Sequence, residues 1–409
     1  MAENRIFGRS SFCFVGGIVT GKELVTTNKL SDTSEWSRTR LNFGIKNDSN
    51  MQFLNVEYIH SPKVKTTKIF FEDGTSEDVK FEDTCKPSII SRVSEMNRIV
   101  VDLEQDFDKK SEYTKLMFKK RNHDIKEEKT DDDLQKIEEY SKQINELATN
   151  RVEFAHIKDV IKFIESSIPM IKDHKVKVTG TVKSNYYNGK NNLQYIPQRI
   201  ELVPEDTESQ LKVYLDFFYD KDGIDDDVKE KRMIVNGYIG ERVKKADKLY
   251  PLTVVLDYTK IDTEIEQHQQ LLDFMKKTFR ITNRKQVHKM GLELNILNGS
   301  QVVEWDENCL TDDQKMAVAL GLSKADDFKP KGFVYGSRIT ELRLAKPNVK
   351  AYPEFGVEVF PVNDLSDYMV ADDSDKKISD VKDTPKDEPK QEDKKQESAE
   401  DLMAKLFGN

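Results

Sequence analysis

The strongest constraint on the fold is a run of alternating residues with Asn-Gly at its centre. In VKVTGTVKSNYYNGKNNLQYIPQRIELV, the residues Val176, Val178 and Val182 fall on one face of an extended chain, and apolar residues resume after Asn188-Gly189. Because Asn and Gly readily adopt the positive φ angles of a two-residue hairpin turn, the run predicts a long antiparallel hairpin. An isolated hairpin is marginally stable at best, so further strands must cover its apolar face.

Two earlier segments alternate in the same way. Residues 41–45 place Leu, Phe and Ile on one face, and residues 51–59 alternate again after an Asn-Asp-Ser-Asn turn. A shorter apolar segment at residues 12–15 precedes both, and residues 157–164 repeat Ile and Val at helical spacing. Three strands, a helix and a hairpin in this order are typical of an OB-fold β-barrel.

The whole chain is predicted to be mainly β with helical insertions, in the α+β class. Residues 1–207 are expected to form an OB-fold domain, with an insertion at 61–155 that contains a hairpin and a helical arm. Residues 208–363 contain further strand patterns and are expected to form a second, OB-like β-rich domain. Residues 364–409 are rich in Asp, Lys, Pro, Gln and Ser, which predicts a disordered acidic tail.

The helical arm has one narrow apolar stripe, formed by Leu134, Ile137, Ile144 and Leu147. Such a stripe suits a solvated helix that packs on its own barrel, and it also suits an arm for dimerisation or partner docking. The sequence leaves both interpretations open, so it does not decide between a monomer and a homo-oligomer.

Negative charge is concentrated near the carboxyl end. The chain has a net charge of −9, and the residues from Asp364 onward include 14 acidic and 8 basic side chains. The rest of the chain is closer to neutral, which is compatible with a local basic groove. The tail ends in an apolar tip behind an acidic run, and this predicts a segment that docks on a partner protein through Asp401, Leu402, Met403, Leu406 and Phe407.

Common catalytic motifs are absent from the sequence. It contains no GxxxxGK[ST], HExxH or GxSxG, and its three cysteines lack metal-site spacing. We therefore expect that the protein is not an enzyme and that it binds neither a cofactor nor a metal. An acidic run at residues 225–227 leaves a Mg²⁺-dependent nuclease as an alternative. No apolar run approaches the roughly 20 residues that span a bilayer, and the amino terminus lacks a secretory pattern, which predicts a cytoplasmic protein without a membrane partner.

Four segments together resemble the bacterial and phage single-stranded DNA-binding protein family. They are GGIVTG, LNFGIKN, FLNVEYI and the hairpin run VKVTGTVKSNYYNGKNNLQYIPQRIEL, and the resemblance covers residues 12–60 and 157–203. It implies an OB-fold that binds single-stranded DNA (ssDNA) and catalyses no reaction.

The resemblance also implies roles for individual side chains. Phe53 and Tyr187 take the places of base-stacking aromatic residues, and Lys183 takes that of a basic strand residue. Arg40 and Lys46 lie where family members approach the phosphate backbone. Neither stacking nor phosphate contact reads base identity, so the expected binding has little sequence preference.

Other residues extend this predicted interface. Trp36, beside Arg38, either widens the stacking platform or packs beneath its own loop. In the second unit, basic residues interleaved with tyrosines suit another single-strand surface, and a solvated charged face has the same composition. The complete predicted ssDNA-binding set is Trp36, Arg38, Arg40, Lys46, Phe53, Asn55, Lys183, Tyr187, Lys190, Tyr195, Arg242, Lys244, Tyr335 and Arg338.

The sequence thus predicts a non-enzymatic protein that coats and protects ssDNA during phage DNA replication, recombination and repair. Its tail is expected to recruit partner enzymes. The main alternative is an OB-fold interaction scaffold of a replication complex, in which the arm and the tail carry the function, because OB barrels bind many ligands. A metal-dependent nuclease is the third hypothesis.

Overall fold

The computed structural model describes most of the chain up to Val370. The described residues are 7–8, 10–48, 50–126, 128–147, 149–243, 246–259, 261–262, 264–303, 310–329, 334–347 and 357–370. The predicted tail tip, from Asp401 to Phe407, lies outside them.

The first half of the chain contains ten strands and four helices in its described part. They are β1 (Ser11–Lys29), β2 (Ser37–Asn47), β3 (Asn50–Phe53), β4 (Val56–His60), β5 (Thr66–Phe70), β6 (Ser76–Lys80), α1 (Pro87–Ile90), β7 (Ile99–Asp102), α2 (Phe107–Asp124), α3 (Asp131–Leu147), β8 (Arg151–Phe154), α4 (Ile157–Ile171), β9 (Lys175–Tyr187) and β10 (Lys190–Leu202).

The second half adds six strands and three α-helices in the described ranges. They are β11 (Gln210–Asp227), β12 (Arg232–Val243), β13 (Ala246–Asp257), α5 (Glu266–Phe279), β14 (Gln286–Val303), α6 (Asp312–Ala319), β15 (Val334–Pro347), β16 (Val357–Pro361) and α7 (Val362–Leu365). Strands account for more residues than helices, which confirms the prediction of a mainly β protein.

Alternating side chains set the inner and outer faces of the first strands. In β2, Leu41, Phe43 and Ile45 are fully buried, while Arg38 and Lys46 on the other face are exposed. Burying a large apolar side chain contributes about 1.5–3 kcal/mol, so a register slip that exposed this row would be costly. The pattern recognised in the sequence therefore fixes which residues of β2 point outward.

The predicted hairpin is formed by β9 and β10. Tyr187 pairs with Lys190, and only Asn188 and Gly189 lie between them. Both turn residues have positive φ, 50° at Asn188 and 72° at Gly189. This backbone geometry has the twist that joins two antiparallel strands most directly, which is why Asn-Gly predicted the turn correctly.

Six strands, β1 to β4 with β9 and β10, form a closed ring that we call the first ring, and Asn55 completes it. β1 pairs with β2 and β9, β2 pairs with β3 and β4, and β9 pairs with β10. Between β3 and β4, the Asn55 N–H donates to the carbonyl oxygen of Tyr195 in β10 at 2.8 Å, and Asn55 Oδ1 accepts from the Tyr195 N–H at 3.0 Å. α4 lies in the chain between β4 and β9, with Val160 and Ile164 fully buried.

A second ring repeats this order of elements. β11 pairs with β12 and β14, β12 with β13, β14 with β15, and β13 meets β15 in parallel at Val255 and Arg343. α5 lies in the chain between β13 and β14. The rings are joined where β1 pairs with β11, so one sheet and one hydrophobic cluster run through both.

The insertion between β4 and α4 extends the sheet. β7 pairs in parallel with β10, and β8 pairs with β7. β5 and β6 form a separate hairpin, and α2 contacts α3. At the turn between these helices, the carboxylate of Asp133 accepts hydrogen bonds from Lys126 and Thr130 and lies 2.7 Å from Nδ1 of His123. Leu134, from the apolar stripe predicted in the sequence, is exposed.

The start of the predicted tail is folded. Leu365 in α7 is buried in a cluster with Phe218 and Leu249, and Met369 forms an isolated bridge with Leu249. The boundary predicted at residue 364 therefore moves beyond Val370, because these residues cover an apolar patch on the second ring. No helix in the described part of the chain has both the length and the apolar character to cross a bilayer.

Candidate nucleic-acid interface

Three basic side chains lie on the outer face of β2. Arg40 donates from Nε and Nη2 to Oε2 of Glu57 on the neighbouring β4, at 2.9 and 2.7 Å. Arg38 Nε is 3.7 Å from the other oxygen of the same carboxylate. Lys46 is exposed and has no ion pair among the described residues. Glu57 thus offsets part of the positive charge at one end of the face, and Lys46 keeps its full charge at the other.

Two aromatic side chains are exposed near this face. Phe53 in β3 pairs in register with Gly44 of β2, and 39% of its surface is exposed. Trp36 immediately precedes β2 and is 43% exposed; its carbonyl accepts from the Leu30 N–H at 2.9 Å. This hydrogen bond closes the loop at the start of β2. The exposure of the indole is compatible with the stacking interpretation.

The hairpin tip adds a third exposed aromatic ring and two lysines. Tyr187 is 60% exposed, and Lys183 and Lys190 are exposed without ion pairs in the part of the chain described. Successive residues of a strand point to opposite sides, and Tyr186 accordingly turns away, with its ring centroid 6.1 Å from that of Tyr250 in the second ring. The Ser184 N–H donates to Glu241 at 2.6 Å and anchors the hairpin there.

Tyr195 is not part of the surface, contrary to the sequence prediction. It pairs in register with Val182, which faces the core, and residues directly opposite in a sheet share a face. Its ring centroid lies 5.6 Å from Phe12 and 5.1 Å from Phe14, and burial raises the pKa of its hydroxyl. Tyr195 is therefore a core residue that only borders the groove described below, and we remove its ring from the predicted stacking surface.

Asn55 also has a structural task that the sequence did not reveal. Its amide oxygen is engaged by the Tyr195 N–H in the closure of the first ring. The side chain is half-buried, so its main contribution is to hold β10 beside β3. The predicted contact of Asn55 with DNA stays a prediction.

A groove separates the hairpin from the second ring. It has a volume of about 590 Å³, and Lys190, Asn191 and Asn192 of the hairpin lie along it. Gln52 of β3 also lines the groove, on the opposite face of the strand from Phe53, and accepts a hydrogen bond from Asn298 Nδ2 at 3.2 Å. The second ring contributes Pro251, Leu252, Thr253, Val255, Ile296, Leu297, Asn298, Thr340, Glu341 and Leu342. Sequence reasoning missed this groove because its two walls are distant in the chain.

The basic residues predicted in the second ring are only partly described. Arg242 Nε is 3.9 Å from Asp247, so its charge is partly offset. Lys244 lies outside the described residues. Tyr335 and Arg338 belong to β15 and pair in register with Val302 and Ser300 of β14; their side chains lie outside the description.

The acidic run at residues 225–227 takes part in structural contacts. Asp226 accepts hydrogen bonds from the Tyr258 hydroxyl and from Lys276, each at 2.8 Å. Asp227 accepts from the backbone N–H groups of Lys229 and Glu230 in the following turn. Among the described residues, no group of three or more His, Cys, Asp and Glu side chains is arranged to hold a metal ion.

Comparisons with known proteins add little. Neither a protein-family profile nor a curated protein sequence matches the chain. Among solved structures, a deletion variant of the single-stranded DNA-binding protein from Thermus aquaticus aligns with 71% of this chain and 87% of that chain, at 7% identity and a TM-score of 0.25. A likeness of this degree carries no argument about the fold or the function of this chain.

Proposed function

We propose that this protein is a non-enzymatic ssDNA-binding protein built on two OB-type β-barrels. The order of elements supports the fold: each ring has its first three strands, then a helix, then two strands that close it. An OB-fold is a five-stranded Greek-key barrel whose second and third strands, with the loops beside them, bind oligonucleotides. In the first ring these strands are β2 and the β3–β4 pair, flanked by the loop of Trp36 and the β9–β10 hairpin.

One observation carries the proposal: exposed aromatic rings and unpaired lysines occur together on these binding elements. Trp36, Phe53 and Tyr187 have no ring-to-ring contact within the described chain, and Lys46 and Lys183 have no ion pair there. Single exposed apolar residues are common, but exposed rings on the same strands and loops as unpaired lysines have the composition of a single-strand surface. Base stacking on the rings and phosphate contact with the lysines provide one.

The electrostatics favour a local interface over a generally basic surface. The chain is acidic overall, at −9, so attraction of DNA depends on where cations remain unpaired. Lys46, Lys183 and Lys190 meet that condition, whereas Arg40 is held by Glu57. The groove beside the hairpin offers amide groups and one lysine, and we propose that it leads a single strand from the first barrel toward the second.

We further propose that the bound strand is protected during DNA replication, recombination or repair, with phage replication as the setting. The acidic tail would recruit the enzymes of that process through Asp401, Leu402, Met403, Leu406 and Phe407. The role of the tail can be tested by removing the residues from 371 onward, because the chain is folded through Val370.

Lysine substitution should reduce the salt dependence of binding. Each phosphate contact on a single strand contributes about 0.7 to the slope of log K against log salt concentration, so Lys46→Ala, Lys183→Ala and Lys190→Ala together should reduce its magnitude by about 2. Fluorescence anisotropy of a labelled oligo-dT across a salt series measures this slope.

The matched control replaces three exposed lysines away from these elements, Lys68, Lys162 and Lys172, by alanine. It should leave the slope close to that of the unmodified protein. Equal slopes for the two triple variants would contradict the proposed interface.

A further inference from the structure

A second basic surface lies on the insertion. α2 contains five lysines and one arginine against three carboxylates, although the insertion as a whole is acidic. Two of these lysines are neutralised by other elements: Lys109 pairs with Glu104, and Lys110 pairs with Asp102 and Glu201. Near its carboxyl end, Phe118 is 65% exposed. An exposed aromatic ring on a basic helix has the composition of a nucleic-acid contact, and neither feature contributes to the hydrophobic core.

This helix forms one wall of a pocket that four arginines line. The pocket has a volume of about 470 Å³ and lies between α2, the β7–β8 pair and the β9–β10 pair. Arg121 comes from α2, Arg98 and Arg151 from the neighbourhood of β7 and β8, and Arg199 from β10. Because the guanidinium group presents several N–H donors in a planar fork, such a cluster is suited to phosphate oxygens.

Several of these donors have no protein acceptor. Arg98 is satisfied by Glu153 and by backbone carbonyls. Arg151 Nη2 also donates to Glu153, but its Nε is buried without a hydrogen-bond partner. Arg199 donates from Nε to Glu201, and Arg121 is exposed and has no ion pair in the described part of the chain. The exposed Arg121 and the partly exposed Arg199 are therefore the guanidinium groups that a phosphate oxygen can reach.

The pocket keeps a positive balance after its carboxylates are considered. Glu95 and Glu153 are the two acidic residues along it. Burial alone would raise the pKa of Glu153, but hydrogen bonds from Arg151 and Arg98 hold it below its usual value, so this carboxylate is ionised and paired. Four guanidinium groups thus face two carboxylates within the pocket, and Arg199 is also paired with Glu201 beside it.

We propose that this pocket binds a phosphate of the same single strand, with the adjoining base stacked on Phe118. The inference rests on the proposed function and extends its interface onto the insertion. Thr179, Lys183 and Tyr187 lie on one face of β9, with Thr179 at the pocket and Tyr187 at the hairpin tip. The path from Thr179 to Tyr187 is eight residue steps, or about 26 Å, which takes about eight nucleotides at roughly 3.4 Å per nucleotide and is longer than a six-nucleotide strand covers.

The test compares long and short oligonucleotides bound to the full chain. Phe118→Ala combined with Arg121→Ala should weaken binding of an oligo-dT of about 20 nucleotides by about tenfold or more, and should change binding of one of about 6 nucleotides less than twofold. Lys115→Ala removes a charge from the same helix outside the pocket and serves as the control. Anisotropy at fixed salt gives both affinities.

A second measurement does not depend on a variant. A photoreactive thymine near the end of the long oligonucleotide should crosslink the unmodified protein at peptides that contain Met96 or Phe118, which line the pocket. Tight long-oligonucleotide binding with unchanged affinity in the double variant, or crosslinks confined to the peptides of Phe53 and Tyr187, would overturn this inference and leave the proposed function standing. Displacement of the crosslink by millimolar dTMP would assign the pocket to a free nucleotide instead. Failure of the unmodified protein to bind either oligonucleotide would defeat the proposed function itself.

Discussion

Replacing Phe53 and Tyr187 by alanine is expected to weaken oligo-dT binding by about 2–6 kcal/mol, because stacking contributes about 1–3 kcal/mol for each base platform. Both side chains are exposed at the ends of ordered strands, so their truncation removes little packing. Anisotropy of a labelled oligo-dT at constant salt measures the loss, and thermal unfolding shows whether stability is retained.

Phe70→Ala is the matched control for this double variant. Phe70 is an exposed phenylalanine at the end of β5, on the insertion hairpin, and no role in binding is assigned to it. Its truncation should leave the affinity unchanged. If the Phe53 and Tyr187 variant bound DNA as tightly as the Phe70 variant does, the stacking platform would have to be abandoned.

Tyr195→Ala is expected to lower the free energy of unfolding and to leave the affinity for DNA unchanged. The ring is buried against Phe12 and Phe14 in the first ring of strands. Truncation of a buried aromatic side chain costs about 3–5 kcal/mol, through lost burial and the cavity that remains. Urea unfolding followed by circular dichroism should show this loss in the free energy of unfolding.

Tyr195→Phe separates the ring from the hydroxyl. It keeps the aromatic packing and should remain close to the unmodified protein in stability and in DNA affinity. Unchanged stability of Tyr195→Ala together with weakened DNA binding would return this residue to the interface.

The faces of individual strands could be predicted because they depend on local alternation. Leu41, Phe43 and Ile45 defined the inner face of β2, and Asn188-Gly189 defined the hairpin turn. The exposed positions of the aromatic residues in the resembling segments followed from the same period of two.

Contacts between distant segments could not be predicted in this way. The alternation in β10 shifts at an irregularity between Pro197 and Arg199, so the face of Tyr195 depends on its pairing with β9. The same holds for Glu57, whose ion pair with Arg40 weakens the charge of the predicted phosphate site. Both contacts depend on strand register, and a single sequence contains no direct signal of register across long separations.

The basic character of α2 could not be seen in the net charge of the whole insertion. The acidic residues elsewhere in the insertion outweigh the six cations of α2, so a count over the whole segment gave a negative balance. A count over the helix alone would have shown its basic character. The arginine pocket itself remained invisible, because its walls come from the insertion and from β9 and β10, which meet only in the folded chain.

Two contacts hold the first ring against the second beside the proposed interface. The hairpin of the first ring is anchored on the second by Ser184 and Glu241, and Gln52 and Asn298 connect the rings beside the groove. In the proposed binding mode, a single strand passes from Phe53 along the hairpin toward the second ring. This arrangement supports the proposed extended binding mode.

The central claim is tested most directly by the affinity of the unmodified full chain for labelled oligo-dT across a salt series, with duplex DNA as competitor. The proposed interface predicts tight binding that weakens steadily as salt rises, because phosphate contacts release counterions, and that duplex DNA does not displace. Absence of binding at low salt, or equal competition by duplex DNA, would contradict the assignment of the exposed aromatic and lysine residues to single-strand recognition.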